Sequence, residues 1–407
     1  MSPILGADPA WYARLALIWH QLACPTWQIT KGSQILRRRN ATVHVVIIGA
    51  GLIGLSIAYA LTRRNASVTV LERRKTVAAG TSGASFAWVN ASAKTDNKAY
   101  FLLNWAGLQA HERLAEELGN DAWLHRVGNV EWVSPDSLPV LAARVDYASA
   151  MGYDAQLVPA ATLNAELNLP LPLDPDYPVA WFPREAWVDV PLLAQILTTT
   201  IVQHGGTIRT ASQVNAITQQ GSRVTGVTLT DDQWLAADAV VNAAGPDAHR
   251  IAQMVGRQLP LRPEPGLLLS LAVDSMELPC IVHTPEINLR PDGEGHLLLH
   301  HQSVDRTLGD ELDLAPDAPP CRELRERAQR LFPALVAATS PRAAIGIRPI
   351  PADGYPRVGQ VPELDGYFEA ITHSGITLGP VLGDLLAEEI LSRRVDPLLA
   401  PFRPNRF

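Results

Sequence analysis

Val43–Glu72 reads VHVVIIGAGLIGLSIAYALTRRNASVTVLE, and the architecture of the chain follows from it. The β-branched run Val43–Ile48 has the apolar continuity of a parallel strand buried on both faces. Gly49, Gly51 and Gly54 follow as G-x-G-x-x-G at the turn into a helix, with Ala50, Leu52 and Ile53 between them. Gly49 permits the tight turn, Gly51 lets a pyrophosphate approach the backbone, and Gly54 lets the helix lie close to the strand. The helix start offers free N–H groups and the positive end of its dipole to phosphate. A second strand, Val68–Leu71, ends at Glu72, about twenty positions on, where a carboxylate accepts from ribose hydroxyls and repels a 2′-phosphate. The unit therefore takes FAD or NAD rather than NADP, and the motif alone does not separate these two.

Further motifs continue the same nucleotide site. Arg73 follows the acidic residue, and Gly80-Thr81-Ser82-Gly83-Ala84-Ser85 is a small, hydroxyl-rich loop suited to cofactor contacts. Val214 stands in a strand, Val224–Leu229 continues a β-ribbon, and Ala239–Asn242 runs into the tight turn Ala243-Ala244-Gly245-Pro246. Near the end of the chain, Tyr367–Ile371 leads into His373-Ser374-Gly375-Ile376-Thr377-Leu378-Gly379-Pro380, with a helix expected over Val381–Leu391.

Together with Gly346-Ile347-Arg348-Pro349, these motifs resemble, in kind and order, the D-amino-acid oxidase superfamily of flavoproteins, from about Thr42 to the end. The resemblance implies an α/β fold: a Rossmann-like FAD-binding domain with an inserted antiparallel-sheet α+β substrate domain. It implies FAD, with Gly375, Ile376, Thr377 and Leu378 under the pyrimidine side of the isoalloxazine. Arg348 is implied to hold the substrate carboxylate, for which a guanidinium fork is well shaped. His373 is placed near the flavin. Sarcosine-oxidase-type members tether FAD through a cysteine near the arginine segment; Ala343–Asp353 contains none, so FAD is expected to be non-covalent. A tyrosine that assists carboxylate binding in the oxidases has no clear counterpart, and Ile287-Asn288-Leu289-Arg290 stands in the middle strands instead.

The implied activity is oxidation of a small amino acid (a D-amino acid, glycine or an N-methyl amino acid) by hydride transfer to flavin N5. The resulting imine hydrolyses to the oxo-acid, with oxygen or another electron acceptor completing the cycle. Orientation and electrostatics suffice for such a transfer, so no side-chain base is demanded. The alternative is a non-catalytic or electron-transfer flavin subunit of a hetero-oligomer. Of His283, His300 and His301, the last two are adjacent on a strand, so at most one of that pair lines the pocket.

The 407 residues, 47% hydrophobic, suffice for two domains. The FAD-binding domain is expected over 42–125, 187–257 and 341–396, the substrate domain over 126–186 and 258–340, and a tail over 397–407. The proline-rich run Pro159–Pro191 reads as an extended connection. Helices are expected at Leu192–Gln203 and Arg322–Leu331. Net charge of −7 gives no nucleic-acid footprint, and Arg37-Arg38-Arg39 is too short to make one. Three distant cysteines, Cys24, Cys280 and Cys321, have neither disulfide-framework nor metal spacing and fit a reducing cytoplasm. No apolar run has spanning length, while peripheral membrane contact and oligomer formation stay open. Residues 1–41 are an N-terminal extension, read as a packed amphipathic helix or a leader.

Overall fold

The computed structural model describes residues 42–406 apart from 170, 275, 310 and 311. The expectations for residues 1–41, including Cys24 and the arginine trio, lie outside the described residues. A six-stranded sheet runs in the order Arg357–Gln360, Tyr367–Ile371, Ala239–Asn242, His44–Ile48, Ser67–Leu71, Thr207–Arg209. All its pairings are parallel except the outer one of Arg357–Gln360 with Tyr367–Ile371. His44–Ile48 is central and buried on both faces, as its unbroken apolar run requires. Helices Leu52–Arg63 and Gly375–Ser392 cross against each other where glycine removes the obstacle: a Cβ on Gly383 would lie 2.6 Å from Ser56 O. A ribbon of Val214–Gln220, Arg223–Leu229 and Trp234–Ala236 packs on one face of that sheet, against Val46, Ile48 and Val240.

The second layer is an eight-stranded sheet built from two chain segments, with Thr339–Pro351 at one edge beside Leu261–Ala272 and Gln156–Pro159 at the other. It is mixed rather than wholly antiparallel, because Ile281–His283 pairs parallel with Asn129–Glu131 where the two segments meet. Leu267, Leu269 and Leu271 point into its own core. The alternate positions, including Arg348, Gly346, His300 and His283, share the opposite face by strand periodicity and register.

Four expectations about elements are corrected. The boundary placed at residue 341 falls inside Thr339–Pro351, which pairs with Leu261–Ala272 from Leu261↔Pro351 to Ala272↔Thr339 and so belongs to the eight-stranded sheet. Residues 397–406 are not a tail: Leu399 and Phe402 are buried in the main core, and Arg403 pairs with Glu389 at 2.6 Å. Pro159–Pro191 is not simply extended, because Pro159 sits at the N-cap of a helix, Ala160–Leu167, and Pro178 opens a strand, positions at which no N–H is needed.

The fourth correction concerns the last helix, which begins at Gly375 rather than Val381, with Pro380 inside it. Proline removes the N–H that would bond Ile376 O, and the buried His111 Nε2 donates to that carbonyl instead, at 2.8 Å. The helix therefore passes through a residue that ordinarily ends one.

Candidate active site

The glycine turn has the geometry its sequence calls for. Gly49 sits at φ +108°, and a Cβ there would lie 2.5 Å from Ala243 O, while a Cβ on Gly54 would lie 2.0 Å from Gly49 O. Glu72 folds back onto this turn: its carboxylate accepts from Ala50 N at 3.0 Å and Arg74 N at 2.8 Å. Ser82 Oγ accepts from Leu52 N at 3.0 Å, which brings the Gly80–Ser85 loop over the helix start. Beyond that Ser82 bond the helix start has no side-chain cap, and its first turn holds no acidic residue. A Cβ on Gly51 would stand 3.1 Å from Ser82 Oγ, in the gap between helix start and loop. Uncapped N–H groups facing a glycine-lined gap are the arrangement an extended dinucleotide pyrophosphate needs.

The remaining nucleotide-site residues are distributed around this turn. Arg73 pairs with Asp247 at 2.6 Å, just beyond Ala244 and Gly245. Thr81 Oγ1 donates to Ile347 O at 2.6 Å, tying the loop to the strand that carries Arg348. Val214 is buried in the apolar cluster with Ile48 and Leu71, so its side chain serves the core, and Ser212 N, two residues earlier, donates to Glu72 O at 2.8 Å. The second helix start, at Gly375–Leu378, is also without an acidic residue or a side-chain cap. Thr377 Oγ1 donates to Trp88 O at 3.2 Å, while Asn90 Oδ1 is buried beside it without a partner.

Arg348 is held on the sheet face. Its Nη2 donates to Pro265 O at 2.7 Å and to Asp305 Oδ2 at 2.6 Å, so the arginine is ion-paired within the protein. Its Nε is buried with no partner, and Gly266 leaves the guanidinium face bare, a Cβ there lying 3.4 Å away. Asp305 is the residue that sequence reading missed. It also accepts from Leu267 N at 2.8 Å and from His300 Nε2 at 2.9 Å. Burial opposes its ionisation, but the His300 hydrogen bond and charge, the Leu267 N–H and Arg348 together hold the carboxyl below the ordinary aspartate range. No motif marks Asp305; the short helix Gln302–Asp305 turns it back under the strand.

His300 turns towards this face. His301 turns away, accepting at Nδ1 from Ser303 N and capping that short helix. Phe86 lies 5.9 Å from the His300 ring and 5.8 Å from His283, and the Trp88 ring lies tilted by 37° over His283 at 4.1 Å. Burial, then His300, Arg144 and His301, push His283 down to about 3. The ring of His373 opens to the cleft; enclosure by the chain, then Lys94, Arg348 and His300, push it down to about 3. Lys94 is lowered too, mainly by burial. The structure thus brings Arg348 and His373 into one cleft with His283, His300 and Lys94, where the Asp305 carboxylate already pairs with Arg348.

Behind the cleft lies Glu185, fully buried, accepting from Trp88 Nε1 at 2.9 Å, Ser92 N at 3.2 Å and Tyr153 Oη at 2.8 Å. Burial raises its carboxyl to about 7, against those hydrogen bonds. A cavity of about 350 Å³ is lined by Trp187, Arg290, Asp292 and Arg342 together with Ser82, Gly83 and Ser85 of the loop. Ala84 O lies over Gly346, between Ala344, which lines that cavity, and Arg348, which does not. Among the described residues no helix is long and apolar enough to cross a membrane, and no group of acidic, histidine and cysteine side chains could hold a metal.

Comparison with known proteins agrees with this geometry. The family profile described as FAD dependent oxidoreductase (DAO) matches residues 44–389. Glycine oxidase of Pseudomonas putida is 28% identical over 384 residues, covering 89% of this chain and 98% of that protein. One of the subunits of opine oxidase from Rhizobium meliloti is 27% identical over 378 residues, covering 90% of this chain and 98% of that protein. The crystal structure of glycine oxidase from Geobacillus kaustophilus superposes with a TM-score of 0.79 at 25% identity, covering 90% of this chain and 100% of that one.

Proposed function

This chain belongs to the DAO family of FAD dependent oxidoreductases, and from that membership we propose that it oxidises the C–N bond of a small amino acid to an imine, which water hydrolyses to the oxo-acid. Non-covalent FAD, which the Gly49–Gly54 turn, Glu72 and the Gly80–Ser85 loop would hold, would supply the hydride acceptor. The observation that carries the reading is Arg348: half-buried, locked by Asp305, with an unpartnered Nε and a glycine-bared face at the cleft. A buried guanidinium donor without an acceptor is costly, and a substrate carboxylate supplies one. Lys94 stands beside a neutral His373 on the flavin-domain side, and Phe86 and Trp88 wall the cleft with aromatic surface. Water is thereby kept from the reacting carbon while the α C–H is oriented. The uncapped start of helix Gly375–Ser392 offers a positive dipole end that would stabilise negative charge on a reduced flavin. Glycine, the substrate in the names of two of the relatives, fits the small-substrate class.

The test is the visible spectrum of the purified protein before and after anaerobic addition of D- and L-amino acids, glycine and sarcosine. Bleaching of the flavin by one member establishes amine oxidation and names its class, and subsequent admission of oxygen separates oxidase from dehydrogenase. A flavin unmoved by the whole panel refutes the reading. It would then favour a second one, an FAD-carrying subunit of a larger enzyme, to which the internal pairing of Arg348 and the relative from opine oxidase lend support.

A further inference from the structure

His300 and Arg348 share one atom, Asp305 Oδ2, which lies 2.9 Å from His300 Nε2 and 2.6 Å from Arg348 Nη2. An ionised carboxylate only accepts, so His300 carries its proton on Nε2 and keeps its lone pair on Nδ1. Among the described residues His300 makes no hydrogen bond through Nδ1. One buried carboxylate thus fixes a carboxylate-binding donor and a free nitrogen lone pair relative to each other. An α-amino acid has the complementary pair, an anion and an ammonium on adjacent carbons.

We propose that His300 takes the proton from the substrate ammonium and that Asp305 is the positioning residue that holds its ring, an assignment resting on the amine-oxidising reading above. The step is a proton transfer alone: an ammonium N–H bond breaks, Nδ1–H forms, and the electron pair stays on the amine nitrogen. The neutral amine is then the species from which the α-hydrogen leaves with its pair, and the proton passes from His300 to water in the cleft. No other oxidant or reductant enters.

The neighbouring imidazoles are poorer candidates. His283 donates from Nδ1 to Asn129 Oδ1 at 2.7 Å and lies between Trp88 and Phe86, and His373 has Lys94, Arg348 and His300 around it. Neither has a carboxylate against its ring, whereas His300 does, and only His300 has its tautomer fixed by one. The charged and titratable groups facing His300 are Asp305 and Arg348, with His283, His301 and His373 around them.

Nitrogen NMR of the FAD-loaded protein, with 15N-labelled histidine and His300 assigned by its absence in His300→Ala, reads the tautomer without turnover. The proposal expects Nε2–H with an unprotonated Nδ1 in the neutral ring; a proton on Nδ1 overturns it. In kinetics, wild type should show an acid limb in kcat/KM. His300→Ala should lose about 10²-fold or more at neutral pH, its limb moving up to the ammonium's own titration, with partial recovery on adding imidazole. His300→Gln, checked for full FAD content, repeats the comparison should the alanine variant not fold. A wild type that oxidises amines while the variants keep its rate and pH profile overturns the role of His300 alone. A wild type that oxidises no amine overturns the function itself.

Discussion

Gly51 and Arg348 mark the two ends of the site, and each makes a prediction at the residue scale. Gly51→Val fills the gap beneath Ser82, where even a Cβ would be 3.1 Å from Oγ. It should lower FAD occupancy in the purified protein, read from the ratio of flavin to protein absorbance, with the fold intact by circular dichroism. Arg348→Ala should leave FAD bound and raise KM for amino acids about 10²-fold, the scale of a lost charge-assisted pair of hydrogen bonds. Unchanged kinetics would remove Arg348 from the site. The resemblance pointed to Arg348, but its pairing with Asp305 was not legible, because the partner lies 43 residues away.

At the scale of elements, the last helix depends on a residue from another one. His111, on helix Lys98–Leu118, supplies Ile376 O with the hydrogen bond that Pro380 withholds. His111→Ala should destabilise the protein by about 1–3 kcal/mol for the orphaned carbonyl. In a Pro380→Ala background the restored N–H should remove part of that cost, so a double-mutant cycle by denaturant melts should show positive coupling. Additive effects would separate the two residues. Burial lowers His111 to about 4 in the folded chain from 6.5, so below 6.5 the unfolded chain binds the extra proton and this contribution fades as pH falls towards 4. Glu185 has the opposite sign: its folded value is raised from 4.5 to about 7, so its contribution is complete below 4.5 and is lost as pH rises towards 7. Glu185→Gln should therefore gain stability relative to wild type from pH 4.5 to 7 and hold a constant difference above, measured by calorimetry. A pH-independent difference would show that Glu185 does not change ionisation on folding.

Across the whole molecule, the Gly80–Ser85 loop joins the two sheets at a glycine. Gly346 admits Ala84 O so closely that a Cβ would lie 2.2 Å from it. Gly346→Ala should push the Gly80–Ser85 loop off the eight-stranded sheet, reducing FAD retention and kcat/KM together while both sheets stay folded. Retained FAD with unchanged kinetics would show that the loop accommodates the methyl at no cost to the site.

The nucleotide-binding half was legible residue by residue along the chain. Strand, glycine turn, helix and acidic residue are contiguous, and local sterics and helix-terminus electrostatics act within those few residues; the order of the later motifs then carried the family and FAD. Arg348 was singled out by the resemblance; His300 takes its face by strand alternation, whereas His301, expected on the same strand, lies just beyond it as the cap of Gln302–Asp305. Folding in three dimensions was needed to settle which strand edge Thr339–Pro351 joins, how Pro380 is accommodated, and the Asp305–His300–Arg348 cluster. These depend on pairing and burial between segments far apart in the chain. A buried carbonyl or carboxylate takes whichever donor the packing brings within reach, and nothing in its local sequence names that donor.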